Sequence, residues 1–212
     1  MNVLITGFEP FRKEKVNPSW EVCKRLLEEG VENKTRAKRN SEKESIFIEV
    51  RQLPVVFDEA SKKALEYFTE IEPGIVLHLG EAGGRTHITV ERIAVNCDDA
   101  SIEDNKGQKR DDQIIELEGD DGLFTTIPVK KIVKAIKKAG IPAAVSNSAG
   151  TYLCNHVLYR TLNHVRTGSL PVKVGFIHLP YLPQQAVDKP DKASMSLDLM
   201  VEAVKIALRE CL

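Results

Sequence analysis

Three residues of this chain have the chemistry of a nucleophile, a base and an acid: Cys154, His178 and Glu91. Cys154 follows Ser146-Asn147-Ser148-Ala149-Gly150-Thr151-Tyr152-Leu153, where small polar residues and a glycine lead from a short strand into a helix. In the first turn of a helix a thiol feels the partial positive charge of the backbone N–H groups. That position predicts a lowered thiol pKa and a ready site for an oxyanion. It also suits a plain buried cysteine, the commoner fate of a free thiol.

A nucleophilic cysteine needs a base to take its proton and return it to the leaving amine. Of the five histidines, His156 and His164 share the helix of Cys154, but one points away at i+2 and the other lies more than two turns on. His178 ends the apolar strand Val174-Gly175-Phe176-Ile177-His178-Leu179, and open α/β sheets gather ligands at the carboxyl ends of their strands. A core histidine bonded to backbone would read the same way. Glu91 lies among the apolar residues Ile88, Val90 and Ile93, where a carboxylate needs a partner. Arg85 or Arg92 would make it a structural ion pair; an imidazole would make it the acid of a triad. The chain has no H-E-x-x-H or similar spacing, so a metal role is not expected. Gly80 to Gly84 lacks both G-x-G-x-x-G and the Lys-Ser/Thr ending of a phosphate loop.

The elements that must position these residues alternate along the chain. Strands are expected over 2–6, 46–50, 75–79, 88–95, 143–145 and 172–179, with a further one around 114–117. Helices are expected from Asn17-Pro18 to Gly30, then over 58–71, 128–139, 151–165 and 194–211. Strands alternating with helices predict an α/β fold: a single three-layer α/β/α domain over residues 1–212 around a twisted, mixed, mostly parallel sheet. The charged stretch 32–44 reads as a solvated connection, its Lys34, Arg36, Lys38 and Arg39 interleaved with acids.

Thirty Lys and Arg against 31 Asp and Glu leave no net field to attract nucleic acid or an anionic membrane. No signal peptide or membrane span is visible, which predicts a cytoplasmic protein. Cys23, Cys97, Cys154 and Cys211 are too dispersed for a disulfide framework and are expected as thiols.

Taken together, four segments resemble the pyrrolidone-carboxylate peptidases, or type I pyroglutamyl peptidases, a family of cysteine peptidases. They are Thr6-Gly7-Phe8-Glu9-Pro10-Phe11 with Val16-Asn17-Pro18-Ser19-Trp20; Gly80 to Asn96; Ser146 to Asn155; and the strand closing in His178-Leu179-Pro180. The resemblance implies Cys154 as nucleophile, His178 as general base and acid, Glu91 as the group orienting His178, and Phe8 and Phe11 as the lining of a pyroglutamyl pocket. It implies hydrolysis of peptides after an N-terminal pyroglutamyl residue, with no cofactor or metal, by a cytosolic homotetramer. Aromatic walls suit that group, a small neutral lactam.

The chain departs from the family pattern in three places. Arg12-Lys13 stands where a glycine pair is common, Glu81 where an apolar or amide residue is usual, and Ser101-Ile102-Glu103-Asp104-Asn105 replaces an Arg and a Pro. Two other functions therefore stay open at this point. One is a thiol-dependent amidohydrolase for another blocked or cyclic amide, with Glu81 favouring a cationic group. The other is a binding homologue with weakened turnover.

Overall fold

Strands and amphipathic helices alternate through the computed structural model, which describes residues 1–29 and 46–212. In chain order they are β1 (Asn2–Phe8), α1 (Pro18–Glu28), β2 (Phe47–Leu53), α2 (Glu59–Ile71), β3 (Ile75–Glu81), β4 (Ile88–Glu91) and β5 (Ile93–Val95). There follow β6 (Gly122–Phe124), α3 (Val129–Lys138), β7 (Ala143–Ser146), α4 (Leu153–Thr167), β8 (Lys173–Leu179), α5 (Pro183–Ala186) and α6 (Leu197–Cys211). The charged stretch 32–44 lies outside the described residues.

Six strands form one sheet in the order β2-β1-β3-β8-β4-β7. The first four run parallel, β4 is antiparallel to β8, and β7 is parallel to β4. Helices cover both faces, giving a single three-layer α/β/α domain with a mixed, mostly parallel sheet.

Side chains alternate between the faces of a strand, and that alternation decides which residues can meet. Val3, Ile5, Ile75, Leu77, Leu79, Ile88, Val90, Ile177 and Leu179 pack with α1, α3 and α6. Leu4, Phe8, Val76, Val174 and Phe176 pack instead with α2 and α4. By the same alternation Gly80, Glu91 and His178 face α4.

Local chemistry explains two helix starts. Asn17 caps α1 by accepting from the Ser19 N–H (3.1 Å), and Pro18 occupies the first helical position, where its missing donor costs nothing. Ser196 caps α6 through the Leu199 N–H. His78 ties α4 to the sheet: Thr6 Oγ1 lies 2.7 Å from its Nδ1 and Thr161 Oγ1 3.1 Å from its Nε2. Burial pushes the His78 pKa down to about 3, so this ring works as a neutral bridge.

Two sequence expectations are corrected. The strand expected over 88–95 splits after Glu91, because the Arg92 N–H makes a last bond to Ser146 O (2.9 Å) before the chain leaves the sheet. Its continuation, β5, pairs with β6 in a separate ribbon. The strand expected around 114–117 does not form, because the N–H groups of Ile115 and Glu116 donate to the Asn96 side chain (3.1 and 2.8 Å) rather than to a ladder. Four-residue α5 is too short for a periodic signal.

Among the described residues, no helix is long and apolar enough to cross a membrane.

Candidate active site

Cys154 is the second residue of α4, after Tyr152, the extended N-cap, and Leu153. The helix start is held from its own first turn. Asn155 is fully buried; its Oδ1 accepts from Val95 N–H (2.8 Å), and its Nδ2 donates to the carbonyls of Val95 (2.9 Å) and Cys97 (3.0 Å). Leaving the first N–H groups of α4 unused by the helix is a property of any helix end, and it puts donors beside the thiol.

The sulfur packs against the backbone of β3. A β-carbon built on Gly80 would lie 2.9 Å from Cys154 Sγ and 2.7 Å from Phe176 Cζ. Gly80 is the register partner of His178 on the neighbouring parallel strand. Adjacent strands run about 4.8 Å apart, so the sulfur sits over the strand position beside the imidazole, on the same face. The His178 ring is buried and lies 4.7 Å, centroid to centroid, from that of Phe176.

Glu91 lies one strand further along that face. Its Oε1 accepts from His178 Nδ1 (2.8 Å), Thr89 Oγ1 (3.0 Å) and Arg85 (3.1 Å). The imidazole and one of the two arginines foreseen for this carboxylate, Arg85, are therefore present on one oxygen. Burial pushes the Glu91 carboxyl up, but the hydrogen bond and charge of His178, then Ser146 and Arg85, outweigh it and hold the group below its ordinary value. An ionised carboxylate only accepts, so His178 Nδ1 carries hydrogen and Nε2 is the ring nitrogen left to exchange a proton with the thiol.

The thiol itself corrects one expectation. Its pKa is pushed up to about 12, chiefly by burial and then by the Glu91 and Glu81 carboxylates; Arg85 and the helix backbone pull the other way and lose. At this sulfur, burial and the two carboxylates therefore outweigh the helix start.

The aromatic residues divide. Phe8 is 3% exposed and belongs to the core on the α4 side. Phe11 is half-buried, with its ring 5.7 Å from that of Tyr152, which meets Phe57 edge-on at 5.3 Å. The turn carrying Phe11 is braced by residues for which the sequence suggested no role. Glu9 Oε1 accepts from Val55 N–H (3.0 Å) and Asn105 Nδ2 (2.9 Å), and Asn105 Nδ2 also donates to Pro10 O (3.0 Å). Asp104 in turn accepts from the N–H groups of Phe57, Lys106 and Gln108.

His156 faces away from the thiol, as its spacing predicts. Its Nδ1 lies 2.7 Å from Asp98 Oδ2 and its Nε2 3.0 Å from Ser61 Oγ. The series has the order of a triad, but Ser61 is buried and donates its hydroxyl to Asp58 O (3.1 Å), so it clamps α2 to α4. Glu81, at the end of β3, lies on the opposite face from the sulfur and accepts from Gln185 Nε2 (2.8 Å). Among the described residues, no group of three His, Cys, Asp or Glu side chains could hold a metal ion.

Comparisons with known proteins agree with one another. The family model described as pyroglutamyl peptidase matches residues 1–212. A pyrrolidone-carboxylate peptidase 1 from Caldanaerobacter subterraneus subsp. tengcongensis is 47% identical over 209 residues, covering 99% of this chain and 97% of the relative. One from Yersinia pestis is 46% identical over 206 residues, covering 97% and 90%. A mutant pyrrolidone carboxyl peptidase from Pyrococcus furiosus superposes with a TM-score of 0.90 at 42% identity, covering 100% of this chain and 98% of that one. Bacillus amyloliquefaciens pyroglutamyl peptidase I gives 0.87 at 40% identity, covering 99% and 96%.

Proposed function

The chain belongs to the pyroglutamyl peptidase family, and from that premise we infer that it hydrolyses the amide bond after an N-terminal pyroglutamyl residue, with Cys154 as nucleophile. The observation that carries the assignment of roles is the 2.8 Å contact between Glu91 and His178, on the sheet face where the Cys154 sulfur abuts Gly80.

Because burial and two carboxylates hold the thiol pKa up, attack and proton transfer belong together. His178 Nε2 takes the Cys154 proton as sulfur bonds to the pyroglutamyl carbonyl carbon. N–H groups at the start of α4 hold the oxyanion. The imidazolium gives its proton to the leaving nitrogen, the C–N bond breaks, and a thioester remains. Water then attacks the thioester as His178 accepts its proton, and pyroglutamate leaves as the thiol is restored. Glu91 keeps Nδ1 protonated and balances the charge formed on the ring. Phe11, with Tyr152 beside it and Phe8 behind it, lines the pocket for the lactam.

The test is release of a fluorophore from a pyroglutamyl amide. Cys154→Ala and His178→Ala should lose at least about 1,000-fold in kcat, and Glu91→Gln roughly 10- to 1,000-fold, because the ring stays but loses its charge partner. Undiminished turnover in Cys154→Ala would refute the mechanism.

The quaternary state and compartment belong to the same reading. The peptidase works as a homotetramer in the cytoplasm. The exposed apolar side chains of Ile114, Leu117 and Phe124 support an assembly that covers them, and the four free thiols support a reducing compartment. Sedimentation velocity giving a monomer at micromolar concentration would remove the tetramer.

A further inference from the structure

We propose that Arg12 reads a carboxylate on the residue that departs as the amine, so that this peptidase favours substrates whose pyroglutamyl group is followed by an acidic side chain or a free chain end. The inference rests on the pyroglutamyl reading above and deepens it.

It starts from a backbone oddity. The Glu14 N–H donates to Phe11 O (3.1 Å), closing a tight turn in which Arg12 takes a φ of 57°. Glycine holds that left-handed conformation freely, whereas an L side chain such as arginine is strained in it. The turn has no conformational need of arginine, so the reason for a side chain here has to come from where it reaches.

It reaches back over Phe11. The guanidinium carbon lies 5.3 Å from the Phe11 ring centroid, and that ring is 5.7 Å from Tyr152, two residues before the nucleophile. The Arg12 charge acts both on the Tyr152 hydroxyl and on that of Tyr181, three residues beyond His178. The cation is thus within electrostatic reach of both the element bearing the sulfur and the element bearing the base. With the neutral lactam against the aromatic wall, the group nearest this rim is the leaving residue.

The charges around Arg12 are already engaged. Glu14 is paired with Lys189 (2.7 Å), Glu81 holds the Gln185 amide on the far face, and Asp104 is occupied by backbone N–H groups. Arg12 is exposed, and among the described residues it makes no ion pair; its ring contact is with Phe11. Lys189, 4.7 Å from the Tyr181 ring, is held by Glu14, so Arg12 is a cation at this rim with no ion pair of its own among the described residues. Such a cation fits a carboxylate and gains little from a neutral or cationic residue.

Two matched substrate pairs separate the sources of that carboxylate: pyroglutamyl-glutamate amide against pyroglutamyl-glutamine amide, and pyroglutamyl-alanine against its C-terminal amide. At about 20 mM salt, the wild type should turn over the charged member of at least one pair roughly two- to fivefold faster in kcat/KM, the scale of an exposed ion pair. The ratio should fall toward one near 0.5 M salt. It should collapse in Arg12→Gln and Arg12→Gly, persist in part in Arg12→Lys, and stay at the wild-type value in Lys134→Gln, a surface control on α3. Equal kcat/KM within both pairs for the wild type, or a preference that survives Arg12→Gln, overturns the proposal while leaving the pyroglutamyl reading intact. Failure to cleave any of the four substrates overturns both.

Discussion

Gly80 and Cys154 divide between them a space that admits only one side chain: a β-carbon on Gly80 would come within 2.9 Å of the sulfur. The strand must lack a side chain at this point for the nucleophile to lie beside His178, the register partner of Gly80. Gly80 has no left-handed φ, so its requirement is one of space.

That relationship predicts the effect of one methyl group. In Gly80→Ala the easiest relief is rotation of the thiol away from the strand, since Phe176 is fully buried and cannot yield. We expect kcat to fall at least tenfold with KM little changed, and stability to drop by about 1–3 kcal/mol from overpacking. Steady-state kinetics and a thermal melt check both; activity within twofold of wild type would mean that the sulfur has room elsewhere.

Glu81 sets a second expectation, this one dependent on pH. Burial raises its carboxyl pKa, with Glu14 adding to the rise and Gln185 and Lys189 opposing it. A carboxyl raised on folding favours the protonated form, so the ionised group destabilises the fold above the carboxylate range and ceases to do so below it. Glu81→Gln, which keeps an acceptor for Gln185, should raise Tm at pH 8 by about 1–3 °C, with the gain vanishing near pH 4. Removing this charge also removes part of what pushes the thiol up. Alkylation of Cys154 by iodoacetamide at pH 8 should therefore quicken roughly two- to fivefold. A slower or unchanged rate would remove Glu81 from the control of the thiol.

His78 gives the opposite sign. Its folded pKa of about 3 lies below the value of about 6.5 for a free imidazole, so the unfolded chain binds an extra proton between them. The stability this neutral ring supports is present above about pH 6.5 and is lost as pH falls toward 3. In His78→Gln, urea unfolding should show a stability about 1–3 kcal/mol lower at pH 7 but a shallower fall between pH 6.5 and 4. Parallel slopes in the two proteins would place the acid sensitivity elsewhere.

Much of the architecture could be read from residue order because it depends on periods and caps. The run Asn2 to Thr6, the Asn17-Pro18 start of α1 and the apolar strand ending in His178 are local signals, and they recur within a residue or two in the fold. The breaks in Ile88 to Val95 and near Ile115 were hidden, because they depend on Ser146 and the Asn96 side chain taking backbone bonds from distant residues. The residues that brace the site were hidden for the same reason. Asn105 and Asp104 fall in a charged loop whose value lies in the turn it reaches across to hold.

Residue types and spacing by themselves determined the α/β layering, the helix-start placement of Cys154 and the strand-end placement of His178. These follow from periodicity along one segment at a time. Tertiary structure alone decided that Glu91 serves His178 and Arg85 through one oxygen, that the sulfur lies over Gly80, and that burial raises the thiol instead of the helix lowering it. The physical reason is that hydrogen-bond sharing, close contact and desolvation depend on what other strands and helices bring to a point. No window of sequence around Cys154 contains those neighbours.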